Sequence, residues 1–88
     1  MTVFLVTYDL NRETVRPNIT GAIDENFDWA RLSESSYAVV GSDAEAIYNV
    51  LAPLTDENDN LYVIPLKRPY TGFGPKVVND WLDSNLTY

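Results

Sequence analysis

With 88 residues, 45% of them hydrophobic, the chain has room for one domain, residues 1–88, around a single core. It contains no cysteine and no histidine, which excludes disulfides, thiolate or imidazole metal sites and catalysis by a Ser–His pair. The net charge of −7 argues against tight nucleic-acid binding by one copy, because phosphate-binding proteins usually carry the opposite balance. No apolar run approaches the roughly 20 residues of a membrane span and no basic, apolar leader is present, so we expect a cytoplasmic protein without membrane contact.

Residues 2–9 are apolar and rich in β-branched and aromatic side chains, which predicts a strand. Alternation along this strand places Leu5 on one face and Phe4 on the other. Since both faces are apolar, we expect the strand to lie inside a sheet with packing on each side. Asp9 stands at the end of the strand, where a carboxylate either serves a functional site or caps the following turn.

The rest of the chain alternates between helical and strand patterns. In chain order the patterns predict a helix over 16–26, strands over 28–32 and 36–41, a helix over 43–53, a strand over 61–66 and a C-terminal helix opened by Pro75. Ser42 and Glu45 form the pattern of a capping box at the start of the second helix. The acidic loop over 55–60 faintly resembles a calcium loop, but the glycine and the closing glutamate of that motif are missing, so it is interpreted as a solvated turn.

This order of elements predicts an α+β fold, a ferredoxin-like βαββαβ domain with a four-stranded antiparallel sheet plus a C-terminal helix. The two helices of such a domain cover one face of its sheet. The other face also needs a cover, and either the C-terminal helix or a second copy of the chain can supply it. Six tyrosines and two tryptophans suit an interface between two copies, so we expect a homodimer.

Several short segments resemble a known family. The segments VTYDL (6–10), SSYAV (35–39) and DNLYV (59–63) resemble the small Cas-two-type proteins of CRISPR adaptation, and equally their relatives, the VapD-type toxins and the SinR-like proteins. The segment VVNDWL (77–82) is most similar to the SinR-like branch. The resemblance implies a ferredoxin-like homodimer and, in some members, a metal-dependent nuclease. In those members the aspartate that ends the first strand meets its symmetry mate, and Asp9 matches that position.

Asp9 is therefore the predicted catalytic residue and metal ligand. Two Asp9 side chains across a dimer axis would hold Mg²⁺ or Mn²⁺, because Mg²⁺ binds one or two carboxylates together with waters and phosphate oxygens. The alternative is that Asp9 caps the following turn or accepts backbone N–H groups. The strong acidity of the chain departs from the DNA-bridging relatives, which need basic surfaces.

Other side chains are candidates for contact with nucleic acid or with a protein partner. A tyrosine at the end of a strand can stack on a base, although packing is its commoner role, and polar residues of the next loop can reach a phosphate. The segment 67–76 interleaves basic and aromatic residues, as single-strand binders do, but an ordinary connecting loop is the preferred interpretation. The candidates are Tyr8, Asn11, Arg12, Lys67, Arg68, Tyr70, Phe73 and Lys76.

The sequence thus predicts a small dimeric protein that resembles the Cas-two and VapD group and hydrolyses phosphodiester bonds of RNA or DNA at paired Asp9 residues. Binding of RNA or DNA is expected to be weak because of the acidic surface. The alternative is a non-catalytic protein–protein interaction module whose acidic surface binds a basic protein partner. An endonuclease would need Mg²⁺ or Mn²⁺ and lose activity on Asp9→Asn, whereas a module would be indifferent to both changes.

Overall fold

The computed structural model of the chain describes residues 2–86, and within them it contains four strands and three α-helices. Their bounds are β1 Thr2–Asp9, α1 Arg16–Asn26, β2 Asp28–Ser33, β3 Ser36–Gly41, α2 Ala44–Leu51, β4 Asn60–Leu66 and α3 Lys76–Asn85. Short 3-10 helices, Glu13–Val15 and Ala52–Leu54, precede α1 and follow α2. The predicted bounds of β1, α1 and β3 are confirmed, and those of the other elements differ by one or two residues.

The four strands form one antiparallel sheet in the order β2-β3-β1-β4, with β1 paired to β3 on one side and to β4 on the other. This order and the alternation of strands with helices make the predicted ferredoxin-like α+β fold, which is confirmed. On the central strand β1, the face that carries Phe4, Val6 and Tyr8 is buried, whereas Leu5 and Thr7 on the other face are only half-buried. Opposed residues in an antiparallel pair point to the same face of the sheet, so the register assigns every strand residue to one of two faces.

Helices α1 and α2 cover the first face of the sheet. Each helix buries apolar residues four positions apart, Ile19 and Ile23 on α1 and Ile47 and Leu51 on α2, as the helical period requires. The buried core that they share with the sheet consists of Phe4, Val6, Tyr8, Leu10, Ile19, Ile23, Tyr37, Val39, Ile47 and Leu51. At about 25 cal/mol per Å², burial of this apolar surface is the main force that holds the two layers together.

Helix α3 covers part of the second face. Its Leu82, together with Leu86 just beyond its end, is buried against Val3 and Ala38 of the sheet. The indole Nε1–H of Trp81 donates a hydrogen bond of 3.0 Å to Asp28 Oδ1 on β2, which fixes the helix over the β2 side of the sheet. The sequence left open whether the C-terminal helix or a second copy covers the second face of the sheet. The C-terminal helix covers the half of that face on the β2 side.

The other half of the second face stays open. Tyr62 is 61% exposed and Ile64 is 46% exposed, and both lie on β4, an edge strand of the sheet. The register places them beside Thr7 and Leu5 of β1, respectively. Together these four residues form an exposed strip, called here the β1–β4 strip, on the face opposite α1 and α2. The homodimer that would cover this strip stays a prediction.

The start of α2 corrects one prediction. The N-cap is Asp43, whose Oδ1 accepts a hydrogen bond of 2.7 Å from the N–H of Ala46, and the cap is not Ser42. Glu45 consequently lies in the second position of the helix, where its charge favours the helix N-terminus but where it does not complete a capping box. Serine and aspartate are comparable N-caps, so two adjacent cap residues left the sequence ambiguous by one position.

Candidate functional site

Asp9 ends β1 with an exposed carboxylate. By alternation it lies on the second face of the sheet, in line with Leu5 and Thr7 of the β1–β4 strip and opposite Asn60 of β4. Within residues 2–86 the Asp9 side chain has no hydrogen-bond or ion-pair partner. A shallow cavity of about 330 Å³ surrounds it and is lined by Thr7, Tyr8, Asp9, Ser35, Asn60 and Tyr62. Asp9 is thus a free charge beside hydroxyl and amide groups.

The turn that follows Asp9 is capped by another residue, Asp59. Its Oδ1 accepts a 2.6 Å hydrogen bond from the N–H of Asn11, and its Oδ2 accepts a 3.0 Å bond from the N–H of Asp56. These two donors, Asn11 first, hold the pKa of Asp59 below its ordinary value of 3.8. Arg12 lies 3.6 Å from the Asp56 carboxylate in an exposed ion pair. Asn11 and Arg12, predicted to contact phosphate, are therefore tied to the 55–60 loop, and that loop is a turn stabilised by its own carboxylates.

Tyr8, next to Asp9, points to the first face and is buried in the core. Its hydroxyl donates a 3.0 Å hydrogen bond to the carbonyl oxygen of Glu34 in the β2–β3 turn. Burial raises the pKa of Tyr8 above its ordinary value of 10.0, and the nearby Tyr37 adds to the rise. The ring is therefore not presented to a nucleic-acid base, and its position agrees with the packing role.

Two arginines converge on the same carbonyl oxygen of Glu34. Arg16, the first residue of α1, donates to it, and Arg31 of β2 donates to it at 3.2 Å. The Arg16 guanidinium also lies 5.7 Å from the centre of the Tyr8 ring, and the Arg31 guanidinium lies 5.4 Å from the centre of the Tyr37 ring. Cation–π contacts of this kind hold the two charges close to the end of the sheet that carries Asp9.

This arginine pair was missed by the sequence prediction. For Arg31 a signal exists, because the hairpin predicted over 28–41 places it beside Tyr37 once the strands are paired in register. For Arg16 no local motif announces the position, since it depends on how α1 packs across the sheet. The pair concentrates two of the six basic residues of an otherwise acidic chain on the first face of the sheet, at the end that carries Asp9.

The predicted basic and aromatic segment 67–76 lies at the opposite end of the sheet. It follows Leu66, which pairs with Val3, whereas Asp9 pairs with Asn60. Val3 and Asp9 are six positions apart on β1, about 20 Å at roughly 3.3 Å per residue. The structure therefore does not bring Lys67, Arg68, Tyr70, Phe73 and Lys76 together with Asp9.

Most polar groups of this segment bind to α3. Arg68 donates hydrogen bonds of 2.7 Å and 2.8 Å to the carbonyl oxygens of Leu86 and Asp83. The Tyr70 hydroxyl donates to the Asp83 carboxylate at 2.8 Å, a bond that raises the pKa of Tyr70. Lys76 forms a 2.7 Å ion pair with Asp80 one helical turn further on. The segment is thus a connecting loop anchored to the helix that follows it.

The part of the chain that the structure describes contains neither a metal-binding cluster of side chains nor a membrane-spanning helix. No group of three or more acidic, histidine or cysteine residues there could hold a metal ion. No helix there is long and apolar enough to cross a membrane. The cytoplasmic location stays a prediction.

The fold defines a ferredoxin-like α+β domain with one free carboxylate beside an exposed strip of the sheet. No protein-family model matches the chain, and no curated protein matches its sequence. A solved structure that it resembles is the crystal structure of a hypothetical protein, TT1823, from Thermus thermophilus. The sequence identity is 20% and the TM-score 0.64, and the match covers 84% of this chain and 94% of the other. At this identity the similarity shows the fold alone, so the resemblance to Cas-two-type, VapD-type and SinR-like proteins stays a prediction.

Proposed function

We propose that the chain acts as a homodimer that hydrolyses phosphodiester bonds of RNA or DNA, with two Asp9 carboxylates holding Mg²⁺ or Mn²⁺. One observation carries the proposal. Asp9 has no partner within residues 2–86 and lies on the same sheet face as the β1–β4 strip. An interface that buries the β1–β4 strip would therefore also contain the Asp9 carboxylate.

The strip supplies the reason for two copies to associate. Exposed Tyr62 and Ile64 stand beside Leu5, and tyrosine is enriched in interface cores. A second copy can bury the same strip by a two-fold axis, which makes the interface self-complementary. Asp9 lies two positions beyond Thr7, about 7 Å along β1. A two-fold axis near the Thr7 end of the strip brings the two carboxylates within reach of one ion.

The donor set fits a shared ion rather than a site within one chain. Mg²⁺ binds one or two protein carboxylates at about 2.0–2.1 Å and keeps several waters, so a pair of Asp9 side chains is sufficient. When bound, the ion would lower the pKa of a coordinated water and offset charge on the phosphate. The task of Asp9 is to bind and orient it. Arg16 and Arg31 lie at the same end of the sheet as Asp9 but on its first face, and from there they would attract the phosphodiester backbone to this end.

Cleavage assays on single-stranded RNA and DNA test this function. We expect cleavage with Mg²⁺ or Mn²⁺, none with a chelator, and none with Asp9→Asn. The matched control is Glu25→Gln, which removes one exposed carboxylate from α1, on the other face of the sheet, and should retain activity. Equal activity of Asp9→Asn and wild type would overturn the assignment.

A second candidate, a non-catalytic protein–protein interaction module, is favoured by the charges. Arg12, Arg68 and Lys76 form ion pairs with aspartates of the chain, and the net charge is −7. A chain of this acidity suits a basic protein partner. A module would lack cleavage activity, and neither Mg²⁺ nor Asp9→Asn would change its dimerisation.

A further inference from the structure

An apolar groove lies between the loop that joins β4 to α3, α3 itself and the second face of the sheet. Its volume is about 400 Å³, which falls within the roughly 300–1,000 Å³ of pockets that bind small molecules. The sheet contributes Leu5 and Leu66 to its walls, and α3 contributes Val78 and Leu82. Because most of the lining is apolar, transfer of an apolar ligand from water into the groove is favourable.

The loop that forms the outer wall of the groove is held in place by α3. Arg68 and Tyr70 of the loop are both hydrogen-bonded to Asp83 of the helix. Phe73 lines the groove from the same loop, although its side chain is fully exposed, so its ring lies at the mouth of the groove. The groove is therefore formed before any ligand arrives, and a ligand that enters it would cover this ring.

Three polar side chains of the lining have unused hydrogen-bond donors. Lys67, Thr71 and Asn79 all line the groove, and none of their side chains has a hydrogen-bond or ion-pair partner within residues 2–86. Lys67 differs in this respect from its neighbours Arg68 and Lys76, which are ion-paired to aspartates of α3. The groove thus combines an apolar interior with one cation that lacks an anionic partner.

These features specify the charge and the shape of a ligand. One cation matches one negative charge, and the net charge of −7 disfavours more highly charged ligands such as phosphate esters. Screening limits the repulsion of a single charge by carboxylates more than about 8 Å away at physiological ionic strength. The rings of Tyr70 and Phe73 in the lining favour a flat aromatic ligand, which can pack against them offset or edge to face.

We propose that the groove binds a small aromatic monocarboxylate. The aromatic ring of the ligand lies among the apolar side chains, and its carboxylate pairs with Lys67, where Thr71 and Asn79 supply further donors. This binding site goes beyond the proposed function. It needs a single copy of the chain and involves neither Asp9 nor a metal ion.

Isothermal titration calorimetry with 2-naphthoate and 2-naphthamide tests the charge pairing, because these two probes have nearly the same shape and differ in charge. We expect the wild type to bind 2-naphthoate at least about fivefold more tightly, which is the effect of one ion pair at about 4 Å in water. Lys67→Met should abolish this preference and leave the affinity for 2-naphthamide unchanged. The matched control is Lys76→Met, which removes the same charge from a residue that does not line the groove and should keep the preference.

Phe73→Ala tests where the probes bind. The ring is in solvent, so the fold should not depend on it, which thermal unfolding checks. The affinity for both probes should fall by about two- to tenfold, the range expected for loss of one aromatic contact. Val77→Ala removes another exposed apolar side chain that does not line the groove, and it should bind both probes as the wild type does.

The possible results separate this site from the other occupants of such a groove. Equal affinity of the wild type for the two probes, or no binding at millimolar concentration, overturns the proposal. Binding of 2-naphthoate that neither Lys67→Met nor Phe73→Ala weakens places the probe elsewhere and overturns it too. Tighter binding of the peptide N-acetyl-Gly-Gly-Phe would assign the groove to the chain end of another protein. An affinity for 2-naphthoate that falls as the protein self-associates would assign it to a second copy, and either result overturns the small-molecule site. Loss or absence of nuclease activity leaves all of these measurements unaffected.

Discussion

The carboxylate of Asp59 accepts the main-chain N–H of Asn11 at 2.6 Å, across 48 positions of sequence. This bond ties the acidic turn before β4 to Asn11, two residues beyond the end of β1. The bond also gives the Asn11 N–H an acceptor. Without Asp59, the carboxylate nearest to that N–H in the sequence would be Asp9, two positions earlier. Because Asp59 performs the structural task, Asp9 is left without a partner in the described chain and is available for a functional one.

Removal of the Asp59 charge should destabilise the fold in a pH-dependent way. Asp59→Asn replaces an anion that binds two N–H groups by a neutral amide with one acceptor oxygen, so we expect a lower urea midpoint at pH 6. Glu57→Gln, an exposed position in the same turn, is the control and should leave the midpoint unchanged.

The sign of the pH dependence follows from the direction of the shift. The folded pKa of Asp59 lies below its ordinary value of 3.8, so its contribution is fully present above that value. The contribution is lost as the pH falls through the lower, folded pKa. The gap between the wild-type and Asp59→Asn midpoints should therefore narrow below pH 3.8. A gap that stays constant down to pH 2 would contradict the role of the charge.

The N-cap of α2 offers a comparison of two neighbouring residues. Asp43→Ala removes the acceptor of the Ala46 N–H and should cost about 1 kcal/mol of unfolding free energy, within the usual 0.5–2. Ser42→Ala removes a hydroxyl that precedes the cap and should change stability by less than about 0.5 kcal/mol. Denaturant unfolding of both variants decides between them. A larger loss from Ser42→Ala would restore the capping box predicted from the sequence.

Local patterns predicted the fold well because the elements depend on short-range chemistry. The period-2 alternation of β1 and the four-residue spacing of Ile19 and Ile23 fix which side chains point inward, whatever the rest of the chain does. The cap of α2 was displaced by one residue because Ser42 and Asp43 are both good caps, and only the backbone at the end of β3 separates them.

The candidate site was predicted less well because it depends on contacts between distant residues. Asp9 could be named from its place at the end of a strand, but its freedom depends on Asp59, which lies in another loop. Arg16 and Arg31 reach one carbonyl oxygen from different elements, and no spacing in the sequence records this. Lys67 belongs to a segment with aromatic residues that was considered for nucleic-acid contact, yet that segment begins about 20 Å from Asp9 along the sheet.

Gly41 should be intolerant of any side chain, although its backbone is ordinary for a strand. A Cβ there would stand 2.6 Å from Cδ1 and 2.9 Å from Cγ1 of Ile47, a fully buried residue of α2. Since Ile47 has no space to retreat into, Gly41→Ala should cost about 1–3 kcal/mol, as core overpacking does. Gly72→Ala meets nothing within 4 Å and serves as the control. Equal stability of the two variants in denaturant unfolding would show that α2 moves easily.

The arginine pair should carry phosphate binding if the chain binds nucleic acid. Each phosphate contact adds about 0.7 to the slope of log affinity against log salt for a single strand. Arg31→Gln should therefore reduce both the affinity for single-stranded RNA or DNA and this slope. Lys67→Gln, which changes net charge equally at the other end of the sheet, should leave the slope unchanged. Fluorescence anisotropy titrations at several salt concentrations measure the affinity and the slope. A larger reduction by Lys67→Gln than by Arg31→Gln would indicate that the 67–76 segment binds the nucleic acid.

Mg²⁺ or Mn²⁺ should change the dissociation constant of the dimer, and the direction of that change should depend on Asp9. In the absence of metal, two carboxylates about 4 Å apart repel by about 1 kcal/mol even in water, or about fivefold in a dissociation constant. Asp9→Asn removes this repulsion, so it should tighten the metal-free dimer by about that factor while it abolishes cleavage.

Added Mg²⁺ or Mn²⁺ should tighten the wild-type dimer and leave the Asp9→Asn dimer unchanged, because an ion that binds only to the dimer stabilises it. Glu25→Gln changes the net charge by the same amount and should follow the wild type in both measurements. Sedimentation equilibrium with and without metal gives all six constants. A wild-type dimer insensitive to metal, together with an unchanged Asp9→Asn dimer, would place the two carboxylates far apart and leave the interaction module as the function.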